Sequence, residues 1–208
     1  MAIKKKTLVV NLFAGPGSGK STLCALLFVK LKMLGIDCEM SLEYAKDIVW
    51  EESLKKLEHQ IYIFGKQLHR LQRLDGKLEV VITDAPLLHS SIYCPEDNHD
   101  FKKLILSEHK KFKNVNYYIN RRKDYNPNGR TQTLKQAKIV DAKIINYLDQ
   151  NHIHYEIVEG DVYDVADSIV KEVKNIGINL KMFKSKKVKK PKKVKKPKKV
   201  KKPKKVKK

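Results

Sequence analysis

Residues 14–22 read AGPGSGKST, and their types suit the holding of a chain of phosphates. Glycine lets the backbone turn sharply and approach a ligand closely. Successive backbone N–H groups, together with the start of a following helix, offer donors to oxyanions. A lysine at a helix start, where partial positive charge already gathers, is unfavourable unless an anion lies beside it. Lys20 is therefore read as the group that reaches the terminal phosphates, and Ser21 as a magnesium ligand. The usual pattern, G-x-x-x-x-G-K-[ST], is met here with Ala14 in its first position. The expected ATP-binding set is Gly15, Pro16, Gly17, Ser18, Gly19, Lys20, Ser21 and Thr22.

Such a loop needs a strand to deliver it and a helix to receive it. KTLVVNLFA, rich in β-branched and aliphatic residues, reads as a buried parallel strand. STLCALLFVKLKMLG carries apolar residues at helical spacing and stops at Gly35. Alternation continues along the chain. DCEMSLEY, KLEVVITDAP, NVNYYIN and HYEIVEG are the further strands. Helices are read in residues 45–76 (with an interruption near Gly65), 96–113, 133–151 and 161–177. This order implies an α/β fold with a mostly parallel five-stranded sheet between two layers of helices. Such folds bind ligands beyond the carboxyl ends of their strands, so residues just after each strand are the informative ones.

Asp84 ends VVITDAP, where a carboxylate can hold magnesium beside Ser21; as a turn residue it would cap the DAP segment. Glu43 ends EMSLEY and can accept a proton from a substrate hydroxyl, or serve as a helix-start acid facing the macrodipole. Trp50 is expected to pack in the core or between helices, with stacking on a base as its other reading. After the fourth strand, NRRKDYNPNGRTQT combines Arg121, Arg122, Lys123 and Arg130 with a turn-forming Asn-Pro-Asn-Gly. Arginines closing over a phosphoryl group stabilise the charge of transfer, and Arg121 and Arg130 are the candidates, with Gln132 behind them. The alternative is a solvated basic loop. The candidate catalytic residues are thus Lys20, Glu43, Asp84, Arg121 and Arg130. The seven histidines are scattered and suggest no metal site.

The 208 residues suit one domain with a sizeable core. The formal charge of +22 is unevenly spread: residues 184–208 hold 17 lysines and no acid, which leaves +5 for the rest. That segment repeats KKVKKP, cannot bury enough surface to fold, and reads as a disordered polycation. The expected division is a P-loop domain over 1–180 and a lysine-repeat tail over 181–208. Three cysteines without metal-like spacing argue against a disulfide framework and for a reducing, cytoplasmic compartment. No apolar run is long enough to span a membrane, and the basic-then-apolar start, MAIKKKTLVV, leads straight into the phosphate loop rather than to a cleavage site.

The phosphate loop, LEYAKDIVWEE, VVITDAP and RRKDYNPNGRTQT together resemble the AAA-type, kinase-like P-loop proteins found in many bacteriophages. These are similar in turn to the bacterial nicotinamide-riboside kinase domain and, more distantly, to thymidylate-kinase-like enzymes. The resemblance covers roughly residues 5–176, with Ala14 as a small departure and the tail outside it. It implies ATP and Mg2+ as cofactors, an acid after the second strand that handles the acceptor (Glu43) and a lid arginine on the phosphates (Arg130). The expected function is transfer of the ATP γ-phosphoryl to a nucleoside, nucleotide or related hydroxyl, with a hydroxymethylated base in DNA among the candidates. The other function classes are a nucleic-acid-binding ATPase and a non-catalytic nucleotide sensor. The tail is expected to bind nucleic acid; an anionic membrane surface or, in a eukaryotic host, nuclear import through PKKVKK are its other readings. For a viral protein the compartment is the host cell's.

Overall fold

The structure is a computed structural model that describes residues 6–95, 97–121 and 133–176. Its centre is β1 (Leu8–Phe13), six buried residues in a row. Parallel partners lie on both sides of it: β3 (Val80–Thr83) on one and β4 (Lys113–Ile119) on the other. β2 (Cys38–Ser41) pairs outside β3, and β5 (Glu156–Val158) outside β4. The order is β2-β3-β1-β4-β5, and every pairing is parallel rather than mostly so.

Side chains alternate across a strand, so β1 supplies two cores. Leu8, Val10 and Leu12 join a cluster with Leu23, Cys24, Leu27 and Leu31 of α1 (Lys20–Met33) and Val165, Ala166, Ile169 and Val170 of α2 (Val162–Asn175). Val9 and Phe13 pack on the opposite face against α3 (Gln60–Gln72), α4 (His99–Lys110) and α5 (Leu134–Gln150). The result is helices on both faces of one parallel sheet, the three-layer α/β architecture read from the sequence. α5 starts where Thr133 and Gln136 cap each other's backbone N–H groups.

The long helical stretch expected over 45–76 is three pieces. A short helix α6 (Tyr44–Trp50), a 3-10 turn (Leu54–Glu58) and then α3 follow one another. The interruption falls before Gly65, at Glu52, whose φ of 53° is left-handed and ends the first piece; α3 runs straight through Gly65. A five-residue helix α7 (His89–Tyr93) follows β3, too short for periodicity to reveal. Trp50 is 68 % exposed, which corrects the expectation of a packing role: α6 is too short to bury more than one face, and Ile48 takes it. The three cysteines are free and buried. Among the described residues no helix is long and apolar enough to cross a membrane.

Thr7 anchors the sheet's lower edge. It is fully buried, its hydroxyl donates to the Leu78 carbonyl at 2.9 Å, and it accepts from the Gly76 N–H at 2.8 Å. A hydroxyl removed from such a position strands a buried N–H and a carbonyl. Thr7→Val is expected to lower the unfolding free energy by about 1–3 kcal/mol, read as a lower urea midpoint at an unchanged slope.

Candidate active site

Because β1 and β3 are neighbours with Asn11 opposite Thr83, the segments leaving their carboxyl ends emerge side by side. One is the phosphate loop and the other is Asp84-Ala85-Pro86. Ser21, on the first turn of α1, donates to Asp84 Oδ2 at 2.6 Å. Asp84 is 3 % exposed, and its other oxygen, Oδ1, is buried with no hydrogen-bond partner. A buried carboxylate oxygen without a partner, beside a hydroxyl, is a hard-oxygen donor set. It fits magnesium, which takes one or two protein oxygens and keeps waters in its other positions.

The loop has the shape the sequence implies. Gly17 and Gly19 have φ of 76° and 98°, conformations that cost glycine nothing. No side chain caps α1, and its first turn holds no acid, so its N-terminal donors and positive end are left for a ligand. Lys20 folds back along the loop and donates to the carbonyls of Ala14 at 2.7 Å and Gly15 at 2.9 Å. Burial pushes its ammonium below the ordinary value of 10.5, while the charges of Glu43, Asp84 and Asp141 pull the other way. Ser18 Oγ is buried without a hydrogen-bond partner.

The loop forms one end of a cavity of about 580 Å³. Glu43 stands at its other wall, at the N-cap of α6 with an extended backbone and no side-chain capping bond. Glu43 thus stands at a helix start and lines the cavity. A relay fixes that wall. Thr83 Oγ1 donates to the Ser41 carbonyl at 2.8 Å, and the buried Gln67 donates to Ser41 Oγ at 3.2 Å. The backbone N–H of Tyr44 in turn donates to Gln67 Oε1 at 3.2 Å. Val49, Leu57, Ile63 and Pro86 give the cavity an apolar side.

Several residues here were not singled out by sequence reasoning. His89 lines the cavity, sets its ring edge-on to Phe13 at 5.4 Å, and keeps Nε2 buried without a partner. Burial, and then the Lys20 charge, hold its imidazole well below 6.5, so it is neutral. Tyr93 lines the same wall, its phenol pushed up by burial and by the Glu43 charge. Asp141, on α5, accepts from the Gly15 N–H at 2.5 Å. The one sequence signal for His89 is its place three residues after DAP; that for Asp141 is a carboxylate at helical spacing with the buried Ala137, Ile144 and Leu148. Arg121 lies two residues past β4 and donates to Asp141 Oδ2 through Nε at 3.1 Å and Nη2 at 2.9 Å, with both side chains largely buried. It is not among the residues lining the cavity. Arg122, Lys123, Arg130 and Gln132 lie outside the described residues, as does the lysine-repeat tail. Among the described residues no cluster of His, Cys, Asp and Glu forms a metal site of three or more ligands.

Below about pH 6.5 the unfolded His89 imidazole takes up a proton and the folded one does not, so stability present above that pH is lost as pH falls. His109, held by burial at about 4, acts in the same direction. The urea midpoint is expected to drop between about pH 7 and pH 5, and less steeply in His89→Leu. Parallel pH profiles for the two proteins would refute the assignment of a buried neutral imidazole.

An AAA domain family model matches residues 9–164. Among solved structures, two of the NadR protein, one in complex with NAD and AMP-PNP and one with NR, superpose with TM-scores of 0.62 and 0.64 at 14 % and 16 % identity. They cover 83 % and 81 % of this chain. The chain spans about half the length of those NadR chains, 51 % and 52 %. A deoxyadenosine kinase from M. mycoides gives 0.54 at 16 % identity, over 80 % of this chain and 99 % of that one. The thymidylate kinase from Ehrlichia chaffeensis gives 0.52 at 11 %, over 81 % and 100 %. At these identities the likeness is one of fold, a kinase-like P-loop fold. No curated protein matches the chain in sequence.

Proposed function

The chain belongs to the AAA domain family, and from that premise we propose that it is an ATP-dependent phosphotransferase. It moves the γ-phosphoryl group to a hydroxyl of a nucleoside, nucleotide or related acceptor. The observation that carries this reading is a single cavity lined both by the phosphate loop with Lys20 and by a carboxylate from another segment, Glu43. A nucleotide sensor needs the loop but not the second wall. The kinase-like fold supports the same reading.

In this mechanism the backbone N–H groups of Gly17–Thr22 and the uncapped start of α1 receive the phosphates. Lys20 keeps its bond to the Ala14 carbonyl and turns its other protons toward the β- and γ-phosphates, where its charge offsets the charge of transfer. Ser21 and Asp84 would hold magnesium, which when bound neutralises phosphate charge. Glu43 accepts the proton of the acceptor hydroxyl as its oxygen bonds to phosphorus and the bond from phosphorus to the ADP oxygen breaks. Val49, Leu57, Ile63 and Pro86 exclude water from the acceptor side, which favours transfer over hydrolysis. Arg130 is retained as a phosphate contact on sequence grounds alone.

The test is ADP release by the full chain with ATP and magnesium, in the presence of nucleosides, nucleotides, nicotinamide riboside or DNA. Acceptor-dependent release supports a kinase. Release at the same rate without acceptor marks an ATPase instead, and no release with intact ATP binding marks a sensor. Glu43→Gln keeps the side chain's size and loses the base. It is expected to slow transfer by about 100- to 10,000-fold with ATP affinity retained, measured by single-turnover kinetics beside equilibrium binding.

Residues 1–180 are proposed as the kinase-like domain and 181–208 as a polycationic tail that binds nucleic acid through its phosphates. Seventeen lysines without an acid support this. Deleting residues 184–208 is expected to leave turnover of a small acceptor intact and to weaken DNA or RNA binding sharply, with a flatter salt dependence in a gel-shift series. Equal affinity and equal salt slope in the truncated chain would exclude the tail as the anchor.

A further inference from the structure

We infer that Asp141 is a positioning residue of the phosphate loop: it fixes the Ala14–Gly15 peptide, and through it the Lys20 ammonium. The inference rests on the phosphotransferase reading and extends it to a residue on a different layer of the fold.

One peptide unit joins the Ala14 carbonyl to the Gly15 N–H. Lys20 Nζ donates to that carbonyl at 2.7 Å. Asp141 Oδ1 accepts from that N–H at 2.5 Å. The unit is therefore held at both ends, by a cation on its oxygen and an anion on its nitrogen. Each charge polarises the peptide in the sense that strengthens the other bond. The fit leaves no slack. A Cβ on Gly15 would lie 2.7 Å from both the Ala137 carbonyl and Asp141 Oδ1, so the loop's entry is seated directly on α5. This gives Gly15 a steric reason beyond its place in the motif.

Arg121 completes the arrangement. Its Nε and Nη2 both donate to Asp141 Oδ2, the oxygen that the loop does not use. The carboxylate thus divides its work: Oδ1 holds the loop and Oδ2 the guanidinium. With its charge paired, Asp141 lies behind the loop without strongly repelling a polyphosphate in front of it. Both side chains are nearly buried, 11 % and 14 % exposed, so solvent screens the pair little. The Gly15 N–H, being taken by Asp141, is not one of the donors offered to phosphate. That duty falls to the N–H groups from Gly17 onward.

A loop that loses this seat can relax in the free protein and must be ordered again when nucleotide binds, so the cost appears in binding as well as in stability. The experiment measures ATP affinity by calorimetry, single-turnover transfer and nucleotide-free melting for Asp141→Ala, Asp141→Asn and Asp141→Ala/Arg121→Ala in the full chain. Asp141→Ala is expected to weaken ATP binding by roughly tenfold or more, the scale of a buried donor losing its partner. Asp141→Asn, which keeps an oxygen on the Gly15 N–H, should recover most of the affinity. The double variant should stay as weak as Asp141→Ala. Recovery in the double variant would overturn the proposal and assign the defect to an Arg121 that has lost its Asp141 contact. So would ATP affinity within twofold of wild type in Asp141→Ala whatever its melting point, which would leave Asp141 a purely structural contact. If Asp141→Ala does not fold, Asp141→Asn decides: affinity as poor as that of Lys20→Ala in a folded protein refutes the hydrogen-bond role. Failure of the underlying reading looks different, since wild type would then bind ATP without acceptor-dependent transfer in the single-turnover measurement, or would not bind it at all.

Discussion

A buried ammonium group is costly unless negative partners surround it, and the site is arranged around that requirement of Lys20. Two loop carbonyls accept its protons directly. Three carboxylates from three different segments, Glu43, Asp84 and Asp141, add their fields. Burial still outweighs these charges and holds the group below its ordinary value, so the charge is accommodated without being fully compensated. An ammonium in that condition gains strongly from any further anion. Water cannot supply that charge, and a phosphate chain can.

The strand order is what makes these segments converge. β1 lies between β3 and β4, so the loop after it has the β3 segment on one flank and Arg121, two residues past β4, on the other. Asp84 reaches Ser21 from the first side, and Arg121 meets Asp141 on the second. Glu43 comes from the next strand outward, and its wall is tied back to the centre through Thr83, Ser41, Gln67 and Tyr44. A different order would scatter the same residues along the sheet's edge. The site is thus a property of the topology as much as of the motif.

That division explains what could be read beforehand. The loop, its strand and its helix were legible because each leaves a local signal: β-branched runs, glycine at turns, apolar residues at helical spacing. Asp84 and Glu43 were legible because they end strands. Asp141 was not picked out. It sits mid-helix on the face that α5 buries, between Ala137 and Ile144, and its partners Gly15 and Arg121 are 126 and 20 residues away. Gln67 is hidden in the same way, buried although its type is usually exposed. The broken helix over 45–76 was misread because continuous helix-forming composition masks a single left-handed residue, Glu52. Trp50 was misread because a large aromatic ring on a seven-residue helix need not find a core.

Charge balance carries the argument one step further. Around the loop the described residues place the carboxylates of Glu43, Asp84 and Asp141 against the cations Lys20 and Arg121. Asp141 and Arg121 cancel as a pair, which leaves Glu43 and Asp84 beside Lys20, with Lys46 also on the cavity lining. Under the proposed function a triphosphate adds several negative charges to that space. Lys20, Lys46 and, under that reading, Arg130 offset part of them, and a cation arriving with the ligand would offset more. The orphaned oxygen of Asp84, beside the Ser21 hydroxyl, is where a hard divalent cation would enter. Under the proposed function, the Asp84 carboxylate that disfavours bare phosphate would favour the metal–nucleotide pair, and selectivity for that pair over free nucleotide would rest on electrostatics rather than on shape.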